Sequence, residues 1–156
     1  MCAESLDGMP ADADYSAFFL DPEFQGKYRG ITLPPPSFVA SGAKILSLAS
    51  GRNIVLAFPV RETQVNPMGT LQGGILCSFF DEAFGTLSFA SLRKPCISID
   101  IAVNFVRPIR PGEVVIVRAE FKSKSRSLLQ LYAEAQNEKE KLVATAISKL
   151  MITEPR

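Results

Sequence analysis

A chain of 156 residues is long enough to bury an apolar core as one domain without disulfides or metals. Its 17 Lys and Arg against 16 Asp and Glu leave a net charge of +1. The overall charge therefore gives no reason to expect binding to nucleic acid or to an anionic membrane. It has no histidine, which excludes Ser-His-Asp and Cys-His catalysis and imidazole metal sites, so that any hydrolysis must depend on a carboxylate and no metal is expected.

The N-terminal arm, residues 1–40, is predicted to be irregular with room for one short helix. It holds the run Pro34-Pro35-Pro36, and proline disfavours helix at the residue before it, so regular structure is expected only after Phe38. Aromatic residues around Phe18 and Phe19 suggest that the arm docks on the domain. Its acidic start, ahead of any apolar run, is unlike a signal peptide.

The domain proper, residues 41–156, begins with a predicted hairpin and a long helix. Apolar runs at 44–48 and 53–58 flank Ser50-Gly51-Arg52, which has the size and glycine of a hairpin loop. Residues 70–92 are apolar on nearly every face, as in a buried helix, with Asp81 and Glu82 near the middle. The length would almost span a bilayer, but two adjacent acids would each cost several kcal/mol in lipid, so no membrane span is expected.

Four strand-like runs complete the chain, at residues 96–106, 113–122, 128–136 and 142–152. The first alternates apolar and polar residues from Ile97 to Phe105, the pattern of a half-buried strand. Short polar turns at 110–113, 124–126 and 137–140 favour antiparallel neighbours. The predicted fold class is α+β, with an antiparallel sheet of about six strands wrapped around one long central helix.

Several segments together resemble a known family. They are the run from Asn66 to Ile75, Asp81 with Ala83 and Gly85, Ser98-Ile99-Asp100, and Asn104 to Pro108. This set resembles the hotdog-fold acyl-CoA thioesterases, in particular the phenylacetyl-CoA thioesterase-like branch of the 4-hydroxybenzoyl-CoA thioesterase superfamily, over residues 60–152. The resemblance implies a hotdog fold and hydrolysis of an acyl-CoA thioester.

The resemblance also implies a role for each matching residue. The backbone N–H of Gly73 binds the thioester carbonyl, and Asp81 acts as base or nucleophile. Asn66 orients the thioester or the attacking water, and Ser98 assists the acid. One position departs from the family, whose members usually carry His before the Gly-Gly pair; Gln72 stands there, and it can donate a hydrogen bond but cannot carry a proton or a positive charge.

Physical chemistry supports these roles and leaves alternatives. A helix N-terminus offers unpartnered N–H groups and partial positive charge, so Gly73 can stabilise an oxyanion, although the Gly-Gly pair can equally serve packing. Asp81 interrupts an apolar helix, where an unpaired carboxylate costs free energy. It therefore either has a function, caps a neighbouring strand, or pairs with a cation such as Arg93 or Lys94. Glu82 lies about 100° further round the helix. Ser98 can instead fill a solvated strand face.

A dimer follows from the spacing of the two principal residues. Gly73 and Asp81 are eight residues apart, or about 12 Å along one helix, too far to act on one thioester. Two antiparallel helices about a twofold axis bring each Gly73 to the other chain's Asp81. We therefore expect a homodimer with sites at the interface, and the resemblance allows a homotetramer.

Basic residues near the predicted turns are candidates for the coenzyme A phosphates. Hairpin pairing is expected to bring their strand ends to neighbouring positions. By resemblance, the nucleotide and pantetheine path includes Phe105, Arg107, Arg110, Lys124, Ser125 and Arg126. A solvated basic turn is the alternative for each of them.

The predicted function is thioester hydrolysis to free acid and CoA, with CoA as part of the substrate and no further cofactor. The alternative is a non-catalytic acyl-CoA binding or regulatory protein, which Gln72 favours. Hydratase chemistry of the same fold is disfavoured because it generally relies on histidine. The cysteines Cys2, Cys77 and Cys96 form no close-spaced pair, so a reducing, cytoplasmic location is expected; Cys77 and Cys96 are interpreted as small buried hydrophobes.

Overall fold

The computed structural model describes residues 32–153. Cys2 and the aromatic residues of the N-terminal arm, Phe18 among them, lie outside these residues. The irregular arm docked on the domain therefore stays a prediction. Among these residues the first regular element is α1, Pro36–Ser41, which starts three residues before Val39, the first position at which regular structure was predicted. A proline is tolerated in the first turn of a helix because its missing N–H would have no partner there. Gly42, at φ 72°, ends α1 in the left-handed conformation.

The remaining elements confirm the predicted order. They are β1 Lys44–Ala49, β2 Asn53–Pro59, a 3-10 turn Glu62–Gln64, α2 Gly73–Leu92, β3 Cys96–Phe105, β4 Val114–Lys124, β5 Leu128–Asn137 and β6 Leu142–Ile152. The helix α2 starts three residues later than the apolar run because Gln72 is its N-cap.

The strands form one antiparallel sheet in the order β1-β2-β4-β5-β6-β3. The sheet packs around α2, whose buried side chains include Phe79, Phe80, Phe84 and Leu87. The rings of Phe79 and Phe58 of β2 stack at a centroid distance of 4.3 Å. By length and composition α2 could cross a bilayer, but half of that window is buried inside the fold. The predicted hotdog arrangement of sheet and central helix is confirmed.

Strand β3 is an edge of this sheet among the described strands and pairs only with β6 there. The prediction that its apolar residues are buried is wrong in part: Ile97, Ile99 and Phe105 are 55%, 57% and 58% exposed. A bulge between Ser98 and Asp100 breaks the alternation, because it inserts Ile99 as an extra residue. An exposed apolar edge strand is a ready surface for pairing with another chain.

Candidate active site

Asn66 organises the loop that leads into α2. Its side-chain oxygen accepts hydrogen bonds from the backbone N–H of Met68 at 2.9 Å and of Thr70 at 3.3 Å. Its amide nitrogen donates to the Thr70 hydroxyl at 2.9 Å. These contacts fix Asn66 beside the helix terminus, and they give Thr70 a supporting position that the sequence did not suggest.

Gln72 caps α2. Its side-chain oxygen accepts a hydrogen bond from the backbone N–H of Ile75 at 2.9 Å, which satisfies one of the free N–H groups of the first turn. A Cβ at Gly74 would lie 2.9 Å from this oxygen, so glycine at that position leaves room for the cap. With the oxygen occupied, the amide NH₂ of Gln72 is the part of the side chain suited to donate to a ligand.

Gly73 is the first residue of α2, and the ring of Phe105 lies directly over it. A Cβ at Gly73 would be 3.1 Å from that ring, so a larger residue would require the ring to shift by a few tenths of an ångström. Its N–H is also one of the first four backbone N–H groups of the helix, and these groups have no carbonyl partner within the helix. Packing and oxyanion binding are therefore compatible here. A cavity of about 310 Å³ beside Gly73 is also lined by Asn66, Phe105 and Arg107.

Asp81 lies two turns further along α2, on a face that is exposed in the single chain. Asp81 therefore interrupts the apolar helix where α2 borders a cavity and the start of β3, and not inside the core. The Ser98 hydroxyl donates to Asp81 Oδ1 at 2.6 Å, so the two side chains are in contact, and the assistance of the acid by Ser98 stays a prediction. The bulge that follows Ser98 on β3 lies at this contact.

Glu82 is half-buried next to Asp81, at a position for which the sequence predicted no role. Burial raises the pKa of Glu82, a hydrogen bond with Ser37 of α1 lowers it, and the nearby charge of Asp81 raises it further. Both acids line a second cavity of about 370 Å³ between α2 and residues 32–37. No sequence signal joined Ser37 to Glu82, because the contact depends on how α1 docks.

The two cavities share no residue in one chain, and Gly73 and Asp81 line different ones. The helix separates them by about 12 Å. The structure thus contains two separate groups of candidate residues: Asn66, Gln72 and Gly73 at the start of α2, and Asp81 with Ser98 two turns further along. We call these the glycine half-site and the aspartate half-site.

Comparisons with known proteins show which family the chain resembles. The sequence profile of the thioesterase superfamily matches residues 68–144. A variant structure of the phenylacetic acid degradation protein PaaI from Thermus thermophilus is 32% identical, covers 75% of this chain and 98% of its own, and superposes with a TM-score of 0.69. The chain belongs to the thioesterase superfamily.

Two further relatives of this thioesterase-superfamily chain are informative. Human acyl-coenzyme A thioesterase 13 is 24% identical over 54% of this chain, and the match spans 60% of that protein. The smu.793 protein of Streptococcus mutans UA159, solved bound to acetyl CoA, is 15% identical, covers 83% of this chain and 98% of its own, and has a TM-score of 0.70. The second likeness shows the fold alone.

The basic residues predicted to bind CoA are not brought together in one thioesterase-superfamily chain, which corrects that expectation. Arg107 and Arg110 precede β4, whereas Lys124 is its last residue. An 11-residue strand separates its two ends by about 33 Å. Arg107 lines the cavity of the glycine half-site. Residues 124–126 lie at the other end of the sheet, where β3 begins at the aspartate half-site.

Several of these basic residues already have intramolecular contacts. The Arg107 guanidinium donates to the Leu142 carbonyl at 2.6 Å. Lys124 Nζ donates to the Gly51 carbonyl at 2.7 Å and lies 4.0 Å from the centroid of the Phe121 ring. Ser125 closes the β4–β5 turn with Leu128, and Arg126 is exposed next to it. The roles of Arg107, Arg110, Lys124, Ser125 and Arg126 in CoA binding stay predictions.

Neither Cys77 nor Cys96 has the lowered thiol pKa of a nucleophilic cysteine. Burial, followed by the charge of Asp81, raises the pKa of the Cys77 thiol, and burial raises the pKa of Cys96 to about 11. Both thiols are therefore protonated at neutral pH. They are half-buried rather than buried as predicted. Within residues 32–153 no group of three or more Cys, Asp and Glu is placed to hold a metal ion.

Proposed function

We propose that two copies of this chain form a dimer that hydrolyses acyl-CoA thioesters at two equivalent sites, each shared between the chains. The observation that carries the proposal is the presence of two complementary half-sites on one helix, about 12 Å apart. Neither half-site alone contains all the groups that the reaction requires. A twofold axis places the glycine half-site of one chain against the aspartate half-site of the other.

The edge strand β3 supplies the surface for such a dimer. It begins at the aspartate half-site with Cys96 and ends at the glycine half-site with Phe105. Antiparallel pairing of two β3 strands would therefore set the two kinds of half-site side by side. The same pairing would cover the exposed apolar side chains of β3, such as Ile97 and Ile99. Association of two dimers into a tetramer is a further possibility that the superfamily resemblance favours.

Each shared site would have the groups needed for acyl transfer to water. The Gly73 N–H donates to the thioester carbonyl and stabilises the negative charge that develops on its oxygen. The partner subunit's Asp81 attacks the carbonyl carbon or removes a proton from the attacking water. The hydrogen bond that Ser98 donates to Asp81 orients the carboxylate. The C–S bond breaks, and one water is consumed for each free acid and CoA thiol released.

Gln72 and Asn66 would support the carbonyl rather than transfer protons. The Gln72 oxygen is engaged in the helix cap, so its amide NH₂ is available as a second donor towards the carbonyl. Asn66 is held by its loop contacts and borders the same cavity. Hydrolysis in this arrangement needs no histidine, because the only group that must take a proton is Asp81.

The dimer would also unite the two basic groups proposed to bind CoA. Arg107 and Arg110 of one chain approach residues 124–126 of the partner, since the two ends of the sheet are exchanged by the twofold axis. Three phosphates on CoA would then meet positive charge from both chains. The acetyl CoA bound to the Streptococcus mutans neighbour supports this class of ligand. We propose a cytoplasmic location, because protonated, unpaired Cys77 and Cys96 suit a reducing compartment.

The direct test is hydrolysis of acetyl-, hexanoyl- and phenylacetyl-CoA, followed by a dye that traps the CoA thiol, together with sedimentation of the same sample. We expect turnover by a dimer or a larger assembly. Binding of all three compounds without release of thiol would identify an acyl-CoA binding protein instead. Turnover by a monomer would contradict the shared site.

A further inference from the structure

The cavity at the aspartate half-site has the size and position to receive an acyl group. Its volume of about 370 Å³ is within the range of small-ligand pockets, about 300–1,000 Å³. It opens beside the carboxylate of Asp81, and its wall is mainly apolar, with Leu33, Pro35, Phe89 and Pro95. An acyl group whose carbonyl is attacked at Asp81 can therefore extend into it.

Gly85 keeps part of this cavity open. It follows Asp81 by four residues, so both lie on one face of α2. A Cβ at Gly85 would meet no atom within 4 Å, in contrast to Gly73 and Gly74. A glycine inside a helix costs about 0.5–1 kcal/mol relative to alanine. No contact among the described residues explains this cost, so the open space itself is the feature that glycine preserves.

Glu82 brings a hydrogen-bonding carboxyl group to the wall of this cavity. Glu82 lines the cavity together with Ser37, and a carboxylate has two oxygens able to accept several hydrogen bonds. The described residues that line the cavity include Asp81 and Glu82 but no Lys or Arg. A ligand hydroxyl would be accepted there, whereas another carboxylate would be repelled by two acids, with no cation among the described lining residues to neutralise it.

On the basis of the proposed function, we propose that Glu82 determines acyl specificity: it selects acyl groups that carry a hydroxyl at their far end and rejects those that end in a carboxylate. Gly85 gives these groups the space to reach Glu82. Asp81 performs the chemistry on the thioester carbonyl, and Glu82, next to it on the helix, binds the other end of the acyl group.

The test compares kcat/KM for three thioesters with six-carbon acyl groups: hexanoyl-CoA, 6-hydroxyhexanoyl-CoA and adipoyl-CoA. The parent protein should prefer the hydroxylated group over hexanoyl and use adipoyl least. In Glu82→Leu the ratio of 6-hydroxyhexanoyl to hexanoyl should fall about tenfold, the effect of losing one hydrogen bond to a charged group. In Glu82→Gln the hydroxyl preference should persist in part while adipoyl-CoA gains about tenfold relative to hexanoyl-CoA.

Two further variants make the comparison specific. Glu138→Leu, in the exposed β5–β6 turn, should keep the parent ratios. Gly85→Leu, which fills the cavity, should lower the ratio of hexanoyl-CoA to acetyl-CoA turnover about tenfold or more. Parent-like ratios in both Glu82 variants, with hexanoyl-CoA still hydrolysed, would overturn the inference and leave the proposed function intact. No release of thiol from any acyl-CoA by the parent would overturn the proposed function and this inference with it.

Discussion

The two half-sites on α2 are built in different ways. At the N-terminal end, the polar contacts join near neighbours in sequence: Asn66 with Thr70, and Gln72 with Ile75. In the middle of the helix, Asp81 accepts a hydrogen bond from Ser98, 17 residues away on β3, and Glu82 lines a cavity with Ser37 of α1. The glycine half-site is thus a local backbone structure, whereas the aspartate half-site depends on how β3 and α1 pack against the helix.

The largest effect is expected at the aspartate half-site. Asp81→Asn should lower kcat at least about a hundredfold, because an amide is neither a general base nor a nucleophile. The change is nearly isosteric and the position is exposed, so the melting temperature should stay close to that of the parent. Steady-state kinetics and thermal melts on one preparation check this. Full activity in a folded Asp81→Asn protein would remove Asp81 from the chemistry and direct attention to Glu82.

The glycine half-site can be broken by removing a single N–H. Gly73→Pro deletes the proposed donor at a position where proline suits a helix, and Gln72, at φ −67° and ψ 132°, already has the backbone conformation that precedes proline. Loss of one such donor lowers kcat about 10²–10³-fold.

Gly73→Ala is the matched control for that variant. It places a Cβ against the Phe105 ring in the same way but keeps the N–H. We expect Gly73→Ala to lose much less activity than Gly73→Pro in the thiol-release assay. Equal losses in the two variants would show that packing against Phe105, and not the N–H, is the requirement at this position.

A smaller effect tests the local character of the glycine half-site. Gly74→Ala should displace the Gln72 cap, since its Cβ would lie 2.9 Å from the capping oxygen. In a Gln72→Ala background that conflict is absent, and alanine should stabilise the helix. A double-mutant cycle from urea unfolding, at one protein concentration, should therefore give a coupling of about 1 kcal/mol between the positions. Additive free energies of unfolding would mean that Gln72 does not cap α2 in solution.

The smallest expected effect concerns Glu82 and pH. Because burial raises the pKa of Glu82, the folded chain binds its proton more tightly than the unfolded chain, and the parent loses stability as pH rises through that pKa. Glu82→Gln removes this loss. It should melt above the parent at pH 7, and the difference should disappear below the ordinary glutamate value of 4.5. A difference that is independent of pH would argue against a half-buried carboxylate.

The same contrast explains what could be predicted from the sequence. The helix, the six strands and the Ser50–Arg52 turn follow from apolar periodicity and turn chemistry, and the structure places them within three residues of their predicted ends. The predicted role of Gly73 follows from its position near a helix N-terminus, whereas the cap formed by Gln72 was not predicted, because the apolar run placed the helix start at residue 70. These features depend on neighbours in the chain.

The predictions that failed depend on tertiary packing. The burial of Ile97 was overestimated because periodicity does not show that β3 is an edge strand. Arg107 and Lys124 were expected to be close, but they lie at opposite ends of β4. The contact of Glu82 with Ser37 requires the docking of α1, which no local pattern encodes.

Subunit mixing tests the shared site most directly. Chains of Asp81→Asn and Gly73→Pro, each inactive as a homodimer, are unfolded together, refolded as a mixture and assayed for thiol release. Random pairing makes half of the dimers mixed, and each mixed dimer has one intact site, so about a quarter of parent activity should return. If both groups of a site came from one chain, no mixed dimer would contain an intact site. Absence of restored activity in a mixture shown to contain mixed dimers would contradict the account.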